Sequence, residues 1–99
     1  MPIIYHITTK DSWKDAQLKG ELQEPSLAEE GFIHCSEARQ IPGVLDRYFF
    51  GKTGLVKLTI DSEKLTSRLI YDWSLSMKDS FPHVYGPIQV DAVISVEEL

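Results

Sequence analysis

Three histidines, His6, His34 and His83, are the only imidazoles in this 99-residue chain, and Cys35 is its only cysteine. Each histidine sits at a predicted strand end or tight turn beside an apolar or aromatic neighbour: Tyr5, Ile33, and Pro82 with Phe81. Imidazole titrates nearest neutral pH, so it can serve as acid, base, metal ligand or hydrogen-bonding ring. The densest stretch is Gly31-Phe32-Ile33-His34-Cys35-Ser36. Three chemistries compete for it. Cys35 or Ser36 could be a nucleophile with a histidine base. Three histidines plus Cys35 could supply four zinc ligands. Alternatively, the polar groups could fix a ligand.

Spacing weighs these readings. The chain has no HxH, HxxxH or CxxC, so no local pair preorganises a metal. On a strand, His34 and Cys35 point to opposite faces, whereas His34 and Ser36 share one. A lone cysteine in an apolar run usually packs as a small hydrophobe. Ser36 is also placed to cap Glu37-Ala38-Arg39. The alternation therefore favours His34 and Ser36 facing a ligand, with Cys35 packed behind them. Residues 81–87, Phe-Pro-His-Val-Tyr-Gly-Pro, repeat the arrangement if extended: His83 and Tyr85 share a face, and their rings could stack on a planar heterocycle. Asp72 stands in the apolar context Ile70-Tyr71-Asp72-Trp73, where an unpaired buried carboxylate would be costly. It is a candidate proton acceptor or stabiliser of a cationic transition state. The plain alternative is an edge-strand charge facing water. Arg39, Arg47 and Arg68 are candidates for phosphate contacts.

The elements that must position these groups can be read from pattern. Residues 2–8 read as an opening strand. Thr9 or Asp11 caps a helix over 11–19, with Trp13, Ala16 and Leu18 as its apolar side, and Gly20 stops it. Residues 21–30 form a connection with one helical turn at 26–30, and 32–35 a short strand. Ile41, Val44, Leu45, Tyr48 and Phe49 form one stripe of a helix. Residues 54–61 alternate as a strand, with Val56, Leu58 and Ile60 on one face. Residues 68–73 are another strand, 74–80 a loop, and 81–87 a constrained turn. The tail, 87–99, reads as one long strand alternating through Ile88, Val90, Ala92, Ile94 and Val96. Helices come early and strands dominate late. This predicts one α+β domain spanning 1–99, with a mainly antiparallel sheet and two or three short helices.

Composition sets outer limits. Hydrophobic residues make up 42% of the chain, which fits an ordinary globule. No apolar run approaches the ~20 residues of a membrane span. The first residues lack the basic region and apolar stretch of a signal peptide. A cytoplasmic protein is the expectation, and the unpaired cysteine suits a reducing compartment. The net charge of −5 and the mixed charge order argue against binding duplex nucleic acid, which needs clustered Lys and Arg. Nothing in the composition sets an oligomeric state.

The same stretches resemble a known family. The pattern is Ile4-Tyr5-His6-Ile7-Thr8, then Ser26 to Ser36 (Ser-Leu-x-x-Glu-Gly-Phe-Ile-His-Cys-Ser), then Phe81 to Ile88 (Phe-Pro-His-x-Tyr-Gly-Pro-Ile). It is similar to the small bacterial proteins of the domain of unknown function 952 family, over essentially the whole chain. The resemblance implies an ADP-ribosyltransferase-like fold, a split and mostly antiparallel sheet whose cleft holds NAD in relatives. It implies that His6 holds a ribose hydroxyl, that His34 and Ser36 line the nicotinamide side, and that His83 and Tyr85 close the pocket. Asp72 stands where the family is expected to carry a glutamate. Breaking the nicotinamide–ribose bond would build an oxocarbenium-like cation, and no metal or other cofactor is required. The expected function is binding of NAD or an ADP-ribose-like nucleotide, with Asp72 and His34 as catalytic candidates in transfer or hydrolysis. A non-catalytic nucleotide- or ligand-binding module is the alternative, and a metal-dependent hydrolase a third.

Overall fold

A computed structural model describes residues 2–99. Strand β1 (Ile3–Thr9) leads directly into helix α1 (Lys10–Lys19). Thr9 is the cap: its Oγ1 accepts from the Ser12 backbone N–H at 3.0 Å. Gly20 closes the helix at φ 86°, and its N–H bonds to the Ala16 carbonyl, a left-handed position that glycine occupies without Cβ strain. Ala16 is buried and Trp13 packs on the core, but Leu18 is exposed. At about 100° per residue, position 18 falls well off the face shared by 13 and 16.

Next come β2 (Glu21–Leu22), α2 (Pro25–Glu29), β3 (Ile33–His34), a 3-10 turn at Ala38–Gln40, and α3 (Ile41–Tyr48). The rest is β4 (Leu55–Asp61), β5 (Arg68–Ser74), β6 (Asp79–Tyr85), β7 (Ile88–Gln89) and β8 (Val93–Glu98). The strands form three antiparallel sheets, ordered β1-β4-β8, β2-β7 and β3-β6-β5. This is an α+β fold with antiparallel sheets and three short helices. The two larger sheets meet where Tyr5 and Ser36 exchange backbone hydrogen bonds of 2.8 and 2.7 Å. Among the described residues, no helix is long and apolar enough to cross a membrane.

The core is aliphatic: Ile4, Leu22, Ile33, Leu58, Ile60, Val84, Ile88 and Ala92 are almost wholly buried. Val56, Leu58 and Ile60 face it as their alternation predicts. The stripe of α3 behaves otherwise. None of its residues is buried, and Val44 and Tyr48 line a cleft instead of the core. Its N-terminal end is tied down by Arg39, which forks onto Asp79 at 2.6 and 3.2 Å, and by Gln40, which donates to Asp79 and the Ser80 carbonyl.

Three sequence expectations need correcting. Residues 81–87 are not a turn. Strand β6 runs through Tyr85, and the turn is confined to Gly86 and Pro87. Pro82 sits inside this strand on the side facing Cys35: its carbonyl accepts from the Cys35 N–H at 3.0 Å, and its missing N–H leaves only the reciprocal bond unmade, just where β3 ends. Gly86 then turns the chain at φ 154°, and an added Cβ there would lie 2.5 Å from Ser67 Oγ. Secondly, residues 74–80 are a tight hairpin rather than a loop, since Ser74 and Asp79 pair as the last residue of β5 and the first of β6. Thirdly, the tail is two strands. A 3-10 turn at Val90–Ala92 resets its alternation and moves it from β2's sheet to the edge of β4's. Ile88 and Ala92 are therefore buried while Ile94 and Val96 are exposed. The pairing of Glu21–Leu22 with β7 has no local pattern that announces it.

Candidate functional site

Register brings the chemistry together. His34 of β3 and Ile70 of β5 both pair with His83 of β6, and Asp72 pairs with Phe81. Side chains alternate along each strand. His83 and Tyr85 therefore share one sheet face with Asp72 from one neighbour and with His34 from the other. Ser36, two residues beyond His34, continues that face. Ile33 and Cys35 turn the other way and are buried, Cys35 packing in the core and beside His6 of the cleft lining.

A cleft of about 840 Å³ opens over this face, within the usual size range of ligand sites. His6 and Thr8 of β1 line it, with His34, Cys35 and Ser36, then His83 of β6. The three histidines thus converge although they come from three strands. Its apolar walls are Phe32, Tyr48, Phe49 and Trp73. Phe32 lies parallel to the His83 ring with centroids 4.0 Å apart, and the His34 ring meets His83 edge-on at 5.1 Å.

Each histidine has a carboxylate partner, and the partners differ. His6 is 5% exposed. Its Nδ1 lies 2.6 Å from the His34 carbonyl and its Nε2 2.6 Å from Glu24 Oε2. A carbonyl only accepts, so Nδ1 carries a proton. Burial works against a charged ring, but the neighbouring Cys35 sulfur and the Glu24 hydrogen bond outweigh it, and His6 is pushed up to about 10. Burial likewise raises Glu24, and the His6 hydrogen bond overrides that, leaving Glu24 below its ordinary value. The pair is an imidazolium–carboxylate with both ring nitrogens occupied. A ribose hydroxyl at His6 would have to displace one of these partners.

His34 is more than half exposed, and its Nε2 donates to Glu30 Oε1 at 2.9 Å. Glu30 lines the cleft too. His83 is nearly buried, and its Nδ1 lies 2.8 Å from Asp72 Oδ2. The same oxygen accepts the Tyr85 hydroxyl. Tyr85 first and His83 second hold Asp72 below the usual carboxylate range, and the Asp72 bond raises Tyr85. Asp72 and Tyr85 do not line the cleft. They stand beside His83 and orient it. Its Nε2 has no partner among the described residues.

None of Arg39, Arg47 and Arg68 lines the cleft, nor does any lysine. Among the described residues, no group of three or more His, Cys, Asp and Glu is placed to hold a metal ion. Glu24, Glu30 and Phe32 were not singled out by sequence. Glu24 and Glu30 lie in a connection without periodicity, and no spacing rule pairs Glu24 with His6. Phe32 carried a signal: it precedes His34 by two residues, so it sits on the same face.

The crystal structure of Protein CC0527 from Caulobacter crescentus is similar to this chain, with a TM-score of 0.89 and 29% identity over 99% of this chain and 86% of that one. The solution NMR structure of CC0527 gives a TM-score of 0.84 and 30% identity over 100% of this chain and 85% of that one. No curated protein matches significantly. Residues 7–96 match the family described as "Protein of unknown function (DUF952)". That span is nearly the whole chain and carries His34, Ser36 and His83 of the cleft, and on it the chain belongs to the DUF952 family.

Proposed function

We propose that the histidine cleft binds NAD or an ADP-ribose-like nucleotide, on an ADP-ribosyltransferase-like fold, and transfers or hydrolyses at the nicotinamide–ribose bond. The observation that carries this reading is the convergence of His34, Ser36 and His83 with Phe32 in one aromatic-walled cleft of about 840 Å³. Planar rings stack favourably on aromatic and imidazole faces. With no Lys or Arg in the lining, affinity rests on stacking and hydrogen bonds rather than on phosphate charge.

Cleavage at the anomeric carbon needs negative charge near a developing cation. Of the two carboxylates that line the cleft, Glu24 is tied to buried His6, and Glu30 is the more exposed, held by His34. Asp72 acts one step removed: it positions His83, whose free Nε2 is placed to take a proton from an attacking hydroxyl or water. A non-catalytic binding module is the second reading. It is favoured by the engagement of both lining carboxylates, Glu24 and Glu30, with histidines.

The test is an NMR titration of labelled protein with NAD and with ADP-ribose, following the imidazole signals, together with an assay for released nicotinamide. Joint shifts at His34 and His83, and turnover lost in His34→Ala and His83→Ala, support the enzyme. Shifts without turnover support the binding module. No shifts at millimolar ligand would remove NAD and ADP-ribose as ligands.

A further inference from the structure

Three long strands, β1, β5 and β8, lie at the edges of the two larger sheets. An open edge offers unpaired N–H and C=O groups to any further strand, and proteins usually guard it. β1 is bridged to Ser36 at Tyr5. β8 shifts register against β4 between Thr59 and Ile60, and it ends on Glu97 and Glu98 with no basic residue of its own. β5 has no such guard. Its seven residues, Arg68-Leu69-Ile70-Tyr71-Asp72-Trp73-Ser74, include no proline or lysine, and their pairing with β6 runs without a shift. None of them is buried, and Tyr71 and Trp73 are about half exposed or more.

The bond from Cys35 N–H to the Pro82 carbonyl fixes which backbone groups of β5 are free. Pro82 turns its backbone toward β3, so Phe81 and His83 turn theirs toward β5. Their partners Asp72 and Ile70 therefore face β6. Leu69, Tyr71 and Trp73 point their N–H and C=O groups at the open side. The side chains carry opposite charges two residues either side of Ile70. Arg68 is exposed and makes no ion pair among the described residues. Asp72 spends only its Oδ2, on His83 and Tyr85, and its Oδ1 is unengaged among the described residues. Arg68, Ile70 and Asp72 share one face of the strand.

We infer that β5 pairs with β5 of a second copy of this chain, antiparallel about a two-fold axis at Ile70, so that Arg68 of each copy meets Asp72 of the other. Leu69 and Tyr71 then exchange backbone hydrogen bonds with Tyr71 and Leu69 across the axis, and Ile70 packs on Ile70. Other registers fit less well. An axis at Asp72 sets carboxylate against carboxylate. An axis at Leu69 or Tyr71 leaves both charges without an opposite. An axis between residues sets free backbone groups against groups already spent on β6. The contact uses the same patch on both copies and so closes at two. It joins two three-stranded sheets into one. It also places the second copy's Arg68 at Asp72, the carboxylate that positions His83, where a single copy makes no ion pair to lysine or arginine. The pairing does not depend on which ligand the cleft takes.

Sedimentation equilibrium of the full chain from about 1 µM to about 500 µM brackets the affinity of a small interface. The expected mass rises from one copy to two and no further. Arg68→Asp and Asp72→Arg should each weaken association at least tenfold, because each sets like charges together. Mixed in equal amounts, the two variants should associate again, since one supplies both carboxylates and the other both guanidiniums. Tyr71→Pro removes an N–H that faces the open side, not β6, and should also weaken association at least tenfold. Ile70→Cys should cross-link copy to copy under oxidised glutathione, because a non-hydrogen-bonded pair at the axis puts its Cα atoms about 4.5 Å apart, a span a disulfide closes. Tyr71→Cys, set against Leu69, should not. An unchanged His6 imidazole signal reports that each variant is folded. A single-copy mass at every concentration would overturn the inference. So would a dimer that survives both Arg68→Asp and Tyr71→Pro, a mixture of folded variants that stays apart, or a Tyr71→Cys cross-link as ready as that of Ile70→Cys.

Discussion

Two histidines of the cleft use the same side chain in opposite ways. His6 is buried and spends both ring nitrogens within the protein, on the His34 carbonyl and on Glu24. His83 is nearly as buried but spends only Nδ1, on Asp72. Burial alone therefore does not separate a structural histidine from an available one. The count of free ring nitrogens does. His6 ties β1 to β3 and to the segment before α2. His83 is held from behind and keeps one atom for the cleft.

The largest effect expected from this contrast is on stability. Removing one partner of a buried ion pair leaves the other uncompensated and typically costs about 3–5 kcal/mol. His6→Ala should lose stability of that order in urea unfolding. His83→Ala should lose about 2 kcal/mol or less, since Asp72 is partly exposed and keeps Tyr85. Equal losses would break the distinction.

A pH series tests it next. The folded value of His6 is about 10 against an ordinary 6.5. Between those values the native state holds a proton that the unfolded chain has released, so stability falls as pH rises. The His6 contribution is complete below about pH 6.5 and is lost by about pH 10, at up to about 1.4 kcal/mol per pH unit. Glu24 has the opposite sign: its lowered value adds stability above the carboxylate range, lost as pH falls through the folded value. His6→Gln should flatten the alkaline limb. A wild-type curve already flat from pH 7 to 10 would mean a neutral His6.

Smaller effects belong to the available histidine. Asp72→Asn offers His83 an amide in place of a carboxylate and weakens the hold on its tautomer. Nicotinamide binding should drop about three- to tenfold, on the scale of one hydrogen bond, with unfolding shifted by less than about 1 kcal/mol. Unchanged affinity would show that Asp72 does not position His83. Smallest in stability is Glu30→Gln. Its pair with His34 is about half exposed on both sides, and such pairs contribute ~0–1 kcal/mol. Its midpoint should barely move, while nicotinamide release from NAD, if the cleft is catalytic, should fall by at least tenfold. Retained release would leave Glu30 as an ordinary surface charge.

Much of this was legible in the order of residue types. The alternation His34-Cys35-Ser36 was enough to put Cys35 in the core and the other two on one face, because side chains on a strand have a period of two. Thr9 and Gly20 bound α1 through chemistry confined to single residues. Local rules also misled. Two prolines and a glycine in 81–87 signal a turn, and only knowing where β3 ends reveals that Pro82 forgoes a single ladder bond inside a strand. The alternation of the tail was real but discontinuous, and nothing local marks the 3-10 turn that hands it from one sheet to another. The strongest amphipathic stripe, α3, predicts an apolar partner but not that the partner is a cleft.

By itself the sequence determined the identities of the reactive groups, their faces and the antiparallel α+β class, since each follows from backbone periodicity and side-chain chemistry over a few residues. The tertiary structure decided what those groups are free to do. Glu24 reaches His6 across 18 residues and Asp72 reaches His83 across 11. Those pairings, made through space by register and loop path, determine which imidazole is locked and which keeps a nitrogen for a ligand.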